Sequence, residues 1–236
     1  MYVKHKICVL ASIACFLTGN AAHTDHPGYV ENMRNEKQLT WLALGDSYTI
    51  GETVQEDKRF PAQAIAMLKA DGFNFSQPTY IATTGWTTQD LLNAIQKQPL
   101  SVPYDIVSLL IGVNDQYQHL DTAGYRERFT ECLEAAIRFA GNNRDHVFVL
   151  SIPDYSVTPF AADSDTTQIA KEIDEFNAIN KAITLSYNVS YIDITPLTRE
   201  ADDDRSLIAD DGLHPSEKEY ARWADLLSGE INRILV

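Results

Sequence analysis

Cysteine is scarce in this chain of 236 residues, which contains only three. Cys8 and Cys15 lie close to the N-terminus, and Cys132 stands alone in the rest of the sequence. A chain that has lost its N-terminal segment therefore has no partner for an intramolecular disulfide, and no Cys/His spacing typical of a metal site is present. Cys132 falls on the apolar side of a predicted helix, which indicates a buried structural thiol.

Positive charge is also scarce, because 19 Lys and Arg residues face 33 Asp and Glu residues, for a formal net charge of −14. A protein that binds nucleic acid needs a basic face for the phosphates, so this composition argues against a nucleic-acid partner. It argues equally against attachment to anionic lipid by charge. The acidity is typical of a solvated protein surface.

Long apolar runs are absent except near the N-terminus. There the basic stretch 4–6 precedes the apolar run Ile7 to Leu17, and small residues follow up to Ala22. This pattern is typical of a secretory signal, and its apolar core is too short to span a bilayer. We therefore predict a signal peptide over residues 1–22, no membrane span, and an exported protein that is periplasmic or secreted.

A second route of export stays open. The stretch Ser12-Ile13-Ala14-Cys15 is similar to a bacterial lipoprotein box, in which Cys15 would carry a lipid anchor. Ser12 stands where such boxes usually have leucine.

The rest of the chain is organised as a polar arm and one domain. Residues 23–38 lack apolar periodicity and indicate an arm or tether. Strand-like apolar runs then occur at 41–45, 79–82, 105–111, 146–152 and 189–194, and helix-like segments at 60–70, 87–97, 122–140, 166–187 and 216–234. Alternating strands and helices predict βαβ units, so we expect residues 39–236 to form one three-layer α/β/α domain with a parallel sheet. In the last helix, Ser216 and Glu219 have the spacing of a capping box.

Four turns combine glycine with polar residues: Gly45-Asp46-Ser47, Thr83 to Thr88, Ile111 to Asp115, and Asp211 to Pro215. The first three follow predicted strands, and the fourth precedes the last helix. Turns that follow the strands of a parallel sheet gather at one edge of it, so these four turns can converge although they are distant in sequence.

The residues in these turns include what nucleophilic catalysis needs. His214 can take the proton of Ser47, whose hydroxyl is too weakly acidic to attack without a base. Asp211 can orient the imidazole and stabilise its cation. The candidates for oxyanion donors are the backbone N–H groups of Ser47 and Gly85 and the side-chain amide of Asn114.

Neighbouring residues have other predicted parts. We expect Asp46 and Asp115 to hydrogen-bond the turns rather than to act as acid or base. Tyr48 and Trp86 are candidate substrate-binding residues, and we expect the loop 153–160 to border the pocket. Aromatic side chains suit an apolar acyl group or a sugar ring, and the sequence leaves both open.

With these four turns the sequence resembles the GDSL, or SGNH, hydrolase family, which is named for a serine, a glycine, an asparagine and a histidine in four sequence blocks. Gly-Asp-Ser-Tyr carries Ser47, Thr-Thr-Gly-Trp-Thr-Thr carries Gly85, Gly-Val-Asn-Asp carries Asn114, and Asp-Gly-Leu-His-Pro carries Asp211 and His214. The resemblance implies a flavodoxin-like five-stranded parallel sheet in the order 2-1-3-4-5.

The same resemblance implies a serine esterase that acts on carboxylic esters with short- to medium-chain acyl groups through an acyl-enzyme, without metal or organic cofactor. Alternatives within the family are a carbohydrate O-acetyl esterase, a lysophospholipase and a thioesterase. A lipid- or sugar-binding protein on a hydrolase scaffold is the non-enzyme alternative. The chain departs from the family pattern at Tyr48, which replaces a leucine, and at Thr83 and Thr84, where an asparagine often precedes the glycine.

Overall fold

Five parallel strands form the centre of the protein. The computed structural model describes residues 37–98 and 103–236, so the predicted signal peptide over 1–22, the Cys15 anchor and most of the predicted arm over 23–38 lie outside the described residues. The strands are β1 (Trp41–Gly45), β2 (Thr79–Ala82), β3 (Ile106–Leu110), β4 (Val147–Leu150) and β5 (Ser190–Ile192). They pair in the order β2-β1-β3-β4-β5, which confirms the predicted sheet.

The apolar runs form strands because both faces of the sheet are covered. Every residue of β1, β3 and β4 is buried, whereas the edge strands β2 and β5 are partly exposed. Continuous apolar strands of this kind are typical of parallel sheets with helices on both faces.

Helices pack on the sheet in two groups. Within the described residues they are α1 (Ser47–Ile50), α2 (Phe60–Ala70), α3 (Thr88–Ile95), α4 (Val113–Tyr117), α5 (Thr122–Phe139), α6 (Thr166–Ser186), α7 (Thr195–Arg199) and α8 (Glu217–Leu235). One group pairs α2 with α8, and the other joins α3, α5 and α6. The five longer helices were predicted, and the three short ones, α1, α4 and α7, were not.

The predicted capping box of α8 is only half formed. Ser216 accepts a hydrogen bond from the Glu219 N–H at 3.4 Å, as expected. The Glu219 carboxylate does not return to the Ser216 N–H, which already donates to the Leu207 carbonyl at 2.8 Å. Instead it accepts from the indole of buried Trp223 at 2.8 Å. The prediction was wrong because Trp223, one turn further along the same helix, binds the Glu219 carboxylate, while the Leu207 carbonyl accepts the Ser216 N–H.

Two other expectations concern burial and membranes. Cys132 is buried in the core, as predicted, and burial raises the pKa of its thiol. Across the described ranges of the chain, no helix has both the length and the apolar character needed to cross a bilayer.

Candidate active site

Three of the predicted turns begin at the same level of the sheet. Gly45, the last residue of β1, is paired with Ala82 at the end of β2 and with Leu110 at the end of β3. Ser47, Gly85 and Asn114 follow these residues by two, three and four positions. The register therefore brings three of the predicted site residues to one edge of the sheet.

Ser47 is the first residue of α1 and is nearly buried. Asp46 caps this helix by accepting the Tyr48 N–H at 3.0 Å, while the Ser47 N–H has no acceptor among the residues that the structure describes. A Cβ at Gly45 would lie 2.2 Å from the Leu110 carbonyl oxygen. Only glycine therefore lets the helix begin so close to β3.

Asp211, His214 and Ser47 form one hydrogen-bonded chain. The Asp211 Oδ2 atom lies 2.6 Å from His214 Nδ1, and His214 Nε2 lies 2.9 Å from Ser47 Oγ. The other carboxylate oxygen of Asp211 accepts the backbone N–H groups of Leu213 and His214, both at 3.0 Å. The loop is thus folded around the carboxylate, which fixes the imidazole against the serine.

The charge of Asp211 decides the direction of these hydrogen bonds. Burial raises the pKa of Asp211, but the hydrogen bonds from the His214 ring and from two backbone N–H groups outweigh it and lower the pKa below its ordinary value. An ionised carboxylate only accepts, so the proton of neutral His214 lies on Nδ1. Nε2 then has a free lone pair that can accept the Ser47 hydroxyl proton.

The turns after β2 and β3 are bonded to each other. Asn114 donates from Nδ2 to the Trp86 carbonyl at 3.0 Å. Its neighbour Asp115 accepts from the Thr88 backbone N–H at 2.8 Å and hydroxyl at 2.6 Å, and Arg128 neutralises this buried carboxylate at 3.1 Å. Asp115 therefore holds the turns in place, as Asp46 does at α1, and these contacts are the ones predicted for both carboxylates.

Gly85 is exposed in the turn after β2. Its φ of +78° is rarely adopted by residues with a side chain, and a Cβ at this position would meet nothing within 4 Å. The Gly85 N–H donates to no other described residue. The adjacent Thr84 hydroxyl donates to Glu52 and ties the turn to the loop after α1.

A cavity of about 110 Å³ opens above the serine. Its lining combines Ser47, Asn114 and His214 with Tyr48, Val113, Tyr117, Tyr155, Phe160 and Leu213. Tyr155 and Phe160 belong to the loop predicted to border the site. Tyr117 was missed, because one aromatic residue at the end of a short helix has no pattern in the sequence. A groove of about 610 Å³ along α2 contains none of the predicted site residues.

The two predicted substrate-binding aromatics lie in different places. Tyr48 lines the cavity but is only 4% exposed, and its ring centroid lies 5.0 Å from that of His214. Its ring therefore packs against the imidazole. Trp86 and Gly85 are not among the cavity-lining residues; Trp86 is partly buried against the core. Within residues 37–98 and 103–236, no group of three or more His, Cys, Asp or Glu side chains could hold a metal ion.

The sequence matches one protein family over most of its length. Residues 43–222, which include all four turns, match the GDSL-like Lipase/Acylhydrolase family. The chain therefore belongs to this family of ester hydrolases, as the resemblance of its four sequence blocks predicted. A search of curated proteins finds no match.

Solved structures with the same fold include three bacterial proteins. A member of the lipolytic protein G-D-S-L family from Veillonella parvula is 22% identical, with a TM-score of 0.65 over 83% of this chain and 99% of the other. The esterase EstA from Pseudoalteromonas sp., in a structure inhibited by monoethylphosphonate, is 15% identical, with a TM-score of 0.62 over 83% and 98%. An acetyl xylan esterase from Geobacillus stearothermophilus is 18% identical, with a TM-score of 0.59 over 84% and 94%. These likenesses establish the fold.

Proposed function

We propose that this chain is a serine esterase that hydrolyses carboxylic esters with short- to medium-chain acyl groups through an acyl-enzyme on Ser47. The observation that carries this proposal is the chain from the Asp211 carboxylate through His214 to the Ser47 hydroxyl, with distances of 2.6 and 2.9 Å. A hydroxyl held in this way can lose its proton as it attacks.

The first half of the reaction forms the acyl-enzyme. Ser47 Oγ attacks the ester carbonyl carbon while its proton passes to His214 Nε2, and Asp211 stabilises the imidazolium. The Ser47 and Gly85 N–H groups and the second N–H of the Asn114 amide donate to the oxyanion. When the intermediate collapses, the C–O bond to the alcohol breaks and His214 returns its proton to the leaving oxygen.

The second half releases the acid. Water takes the place of the alcohol, loses a proton to His214 Nε2 and attacks the acyl carbonyl in the same oxyanion site. Collapse breaks the bond to Ser47 Oγ, which recovers its proton from His214. Every proton transfer in this scheme passes through His214 Nε2.

Export is a second part of the proposal. The signal peptide predicted over residues 1–22 would direct the enzyme to the periplasm or the medium, with a lipid anchor on Cys15 as the alternative. Mass analysis of the mature N-terminus distinguishes cleavage near Ala22 from lipidation at Cys15.

Replacement of the serine tests the enzymatic proposal. Ser47→Ala should lower kcat for p-nitrophenyl acetate by roughly 10⁶-fold, as expected when the nucleophile of a coupled triad is removed. The exposed Ser164 serves as the control, and Ser164→Ala should keep wild-type activity. If Ser47→Ala kept most of the activity, Ser47 would not be the nucleophile. A folded wild type without activity on any ester would favour the binding-protein alternative.

A further inference from the structure

Two large aromatic side chains stand half exposed at the mouth of the cavity. Tyr117 is 51% exposed and Phe160 is 48% exposed, and their ring centroids lie 6.0 Å apart. The other exposed large apolar residues among those described, Leu185, Leu226, Ile234 and Val236, do not line the cavity. Apolar residues that are clustered and exposed beside a reactive group are typical of a binding surface.

A third ring supports these two from below. Tyr155 is buried, and its centroid lies 6.2 Å from that of Tyr117 and 6.2 Å from that of Phe160, with steep angles between the ring planes. Edge-to-face packing of this kind is favourable and fixes the orientation of the rings. We call Tyr117, Tyr155 and Phe160 the aromatic wall.

The aromatic wall is connected directly to the catalytic turns. Tyr117 is the last residue of α4, which also carries Asn114. The Phe160 backbone N–H donates to the Gly212 carbonyl at 2.9 Å, inside the loop that carries Asp211 and His214. The rings therefore have a fixed position relative to the groups that act on the ester.

The chemistry of the cavity favours an apolar chain. No charged side chain lines it. Its polar groups are those of Ser47, Asn114 and His214 and the hydroxyls of Tyr48, Tyr117 and Tyr155, of which those of Tyr48 and Tyr155 belong to buried residues, and the rest of the lining is apolar. A sugar placed here would have to exchange several hydrogen bonds to water for few partners, which is costly, whereas a hydrocarbon chain loses only contact with water.

We infer that the aromatic wall binds the acyl chain of the substrate and sets the preference for acyl groups longer than acetyl; this inference rests on the proposed function. The acyl group stays in the site through both halves of the reaction, while the alcohol must leave and be replaced by water. If a walled apolar cavity held the alcohol, it would slow the replacement of the alcohol by water. Such a cavity therefore suits the acyl group, which stays.

The expected effect is a dependence of kcat/KM on chain length. A buried methylene contributes about 0.8 kcal/mol, which is about fourfold in kcat/KM for each methylene that contacts the wall. Shortening Tyr117 or Phe160 to alanine exposes the chain to water on one side, so the gain per methylene should fall below about twofold. The loss should be larger for hexanoate than for acetate.

The experiment measures kcat/KM for p-nitrophenyl acetate, butyrate, hexanoate and octanoate in the wild type, Tyr117→Ala and Phe160→Ala. Rates are divided by the number of sites that a fluorophosphonate titrates, so partly unfolded protein does not enter the comparison. Tyr117→Phe, which keeps the ring, should keep the wild-type dependence on chain length. Leu226→Ala on α8 removes an exposed leucine elsewhere and should leave the whole series unchanged.

Three results would overturn the inference. The first is the same gain per methylene in both alanine variants as in the wild type. The second is a kcat/KM that increases with the length of the alcohol in a series of alkyl acetates, while the acyl group is always acetyl. The third is a preference of the wild type for acetylated xylo-oligosaccharides over hexanoate esters that is lost in both alanine variants. The aromatic wall would then bind a sugar ring. Absence of both labelling and ester hydrolysis in the wild type would instead refute the proposed function.

Discussion

The side-chain amide of Asn114 donates a hydrogen bond to the carbonyl oxygen of Trp86 at 3.0 Å, and this bond joins the turn after β3 to the turn after β2. An amide group has two N–H bonds, so one of them fixes the orientation and the other stays available. Asn114 also lines the cavity together with Ser47 and His214. One residue therefore both connects the turns after β2 and β3 and has an N–H available as a donor.

Replacement of Asn114 by alanine should affect turnover rather than binding. Loss of one oxyanion donor lowers kcat by roughly 10²- to 10³-fold, because the donor acts on charge that develops only in the transition state. Steady-state kinetics of p-nitrophenyl butyrate should show this fall with little change in KM. Asn93→Ala, on the exposed side of α3, provides the control and should behave as the wild type. A rise in KM at constant kcat would make Asn114 a residue of ground-state binding.

Replacement of Asp211 by asparagine should leave His214 unable to act as a base while the loop keeps its fold. An asparagine can donate toward His214 Nδ1, which favours the tautomer with its proton on Nε2 and leaves Ser47 without an acceptor. We expect kcat to fall by about 10⁴-fold, the size of effect known for such a replacement in a serine protease triad. The neighbouring Asp210 is exposed and supplies a matched control, since Asp210→Asn should keep activity. Equal losses in the two variants would indicate that the charge of the loop, and not the triad contact, matters.

The buried carboxyl of Asp46 should make stability depend on pH. Its pKa is raised from 3.8 to about 8, mainly by burial. The hydrogen bond from the Tyr48 N–H lowers the pKa, and the nearby charge of Asp115 raises it. Its second oxygen, Oδ2, has no partner among the described residues. In the unfolded chain the group ionises near pH 4, so between pH 4 and 8 the unfolded state has lost a proton that the folded state retains, and ionisation favours unfolding.

Asp46→Asn removes this titration and keeps an oxygen that can cap α1. The free energy of unfolding of the variant minus that of the wild type should therefore increase from pH 5 to pH 8 and level off above it. The slope at its steepest should approach about 1.4 kcal/mol per pH unit. Urea unfolding at pH 5, 6, 7 and 8 measures it, with the exposed Asp57→Asn as control. A difference between variant and wild type that does not change with pH would contradict a buried, protonated Asp46.

The sheet and the convergence of the turns could be predicted because burial leaves a clear pattern in sequence. The apolar runs of β1, β3 and β4 are buried throughout, and their ends coincide with glycine and polar residues. Once the strands are parallel, turns that follow them must meet at one edge. Ser47 and Asn114 could therefore be grouped from the sequence. The turn with His214 precedes a helix, and it could be grouped with them because Ser47 needs a base.

Features without a periodic pattern, or with a choice between several partners, could not be predicted. Helices of four or five residues such as α1 and α4 are too short to show a helical period, so Tyr117 had no signal. Glu219 has the spacing of a capping residue, but the indole of Trp223 binds its carboxylate instead. Tyr48 follows Ser47 directly in sequence, yet its ring is nearly buried and packs against His214 in the folded protein.

Labelling of Ser47 tests most directly whether its hydroxyl is activated. Intact-protein mass spectrometry of the mature chain after treatment with a fluorophosphonate should show one adduct per molecule, mapped to Ser47 by peptide analysis. Ser47→Ala should show no adduct, and His214→Ala should react far more slowly, because only a serine with a base loses its proton as it attacks phosphorus. An unlabelled wild type that is folded, or equal labelling of wild type and Ser47→Ala, would contradict the proposed mechanism.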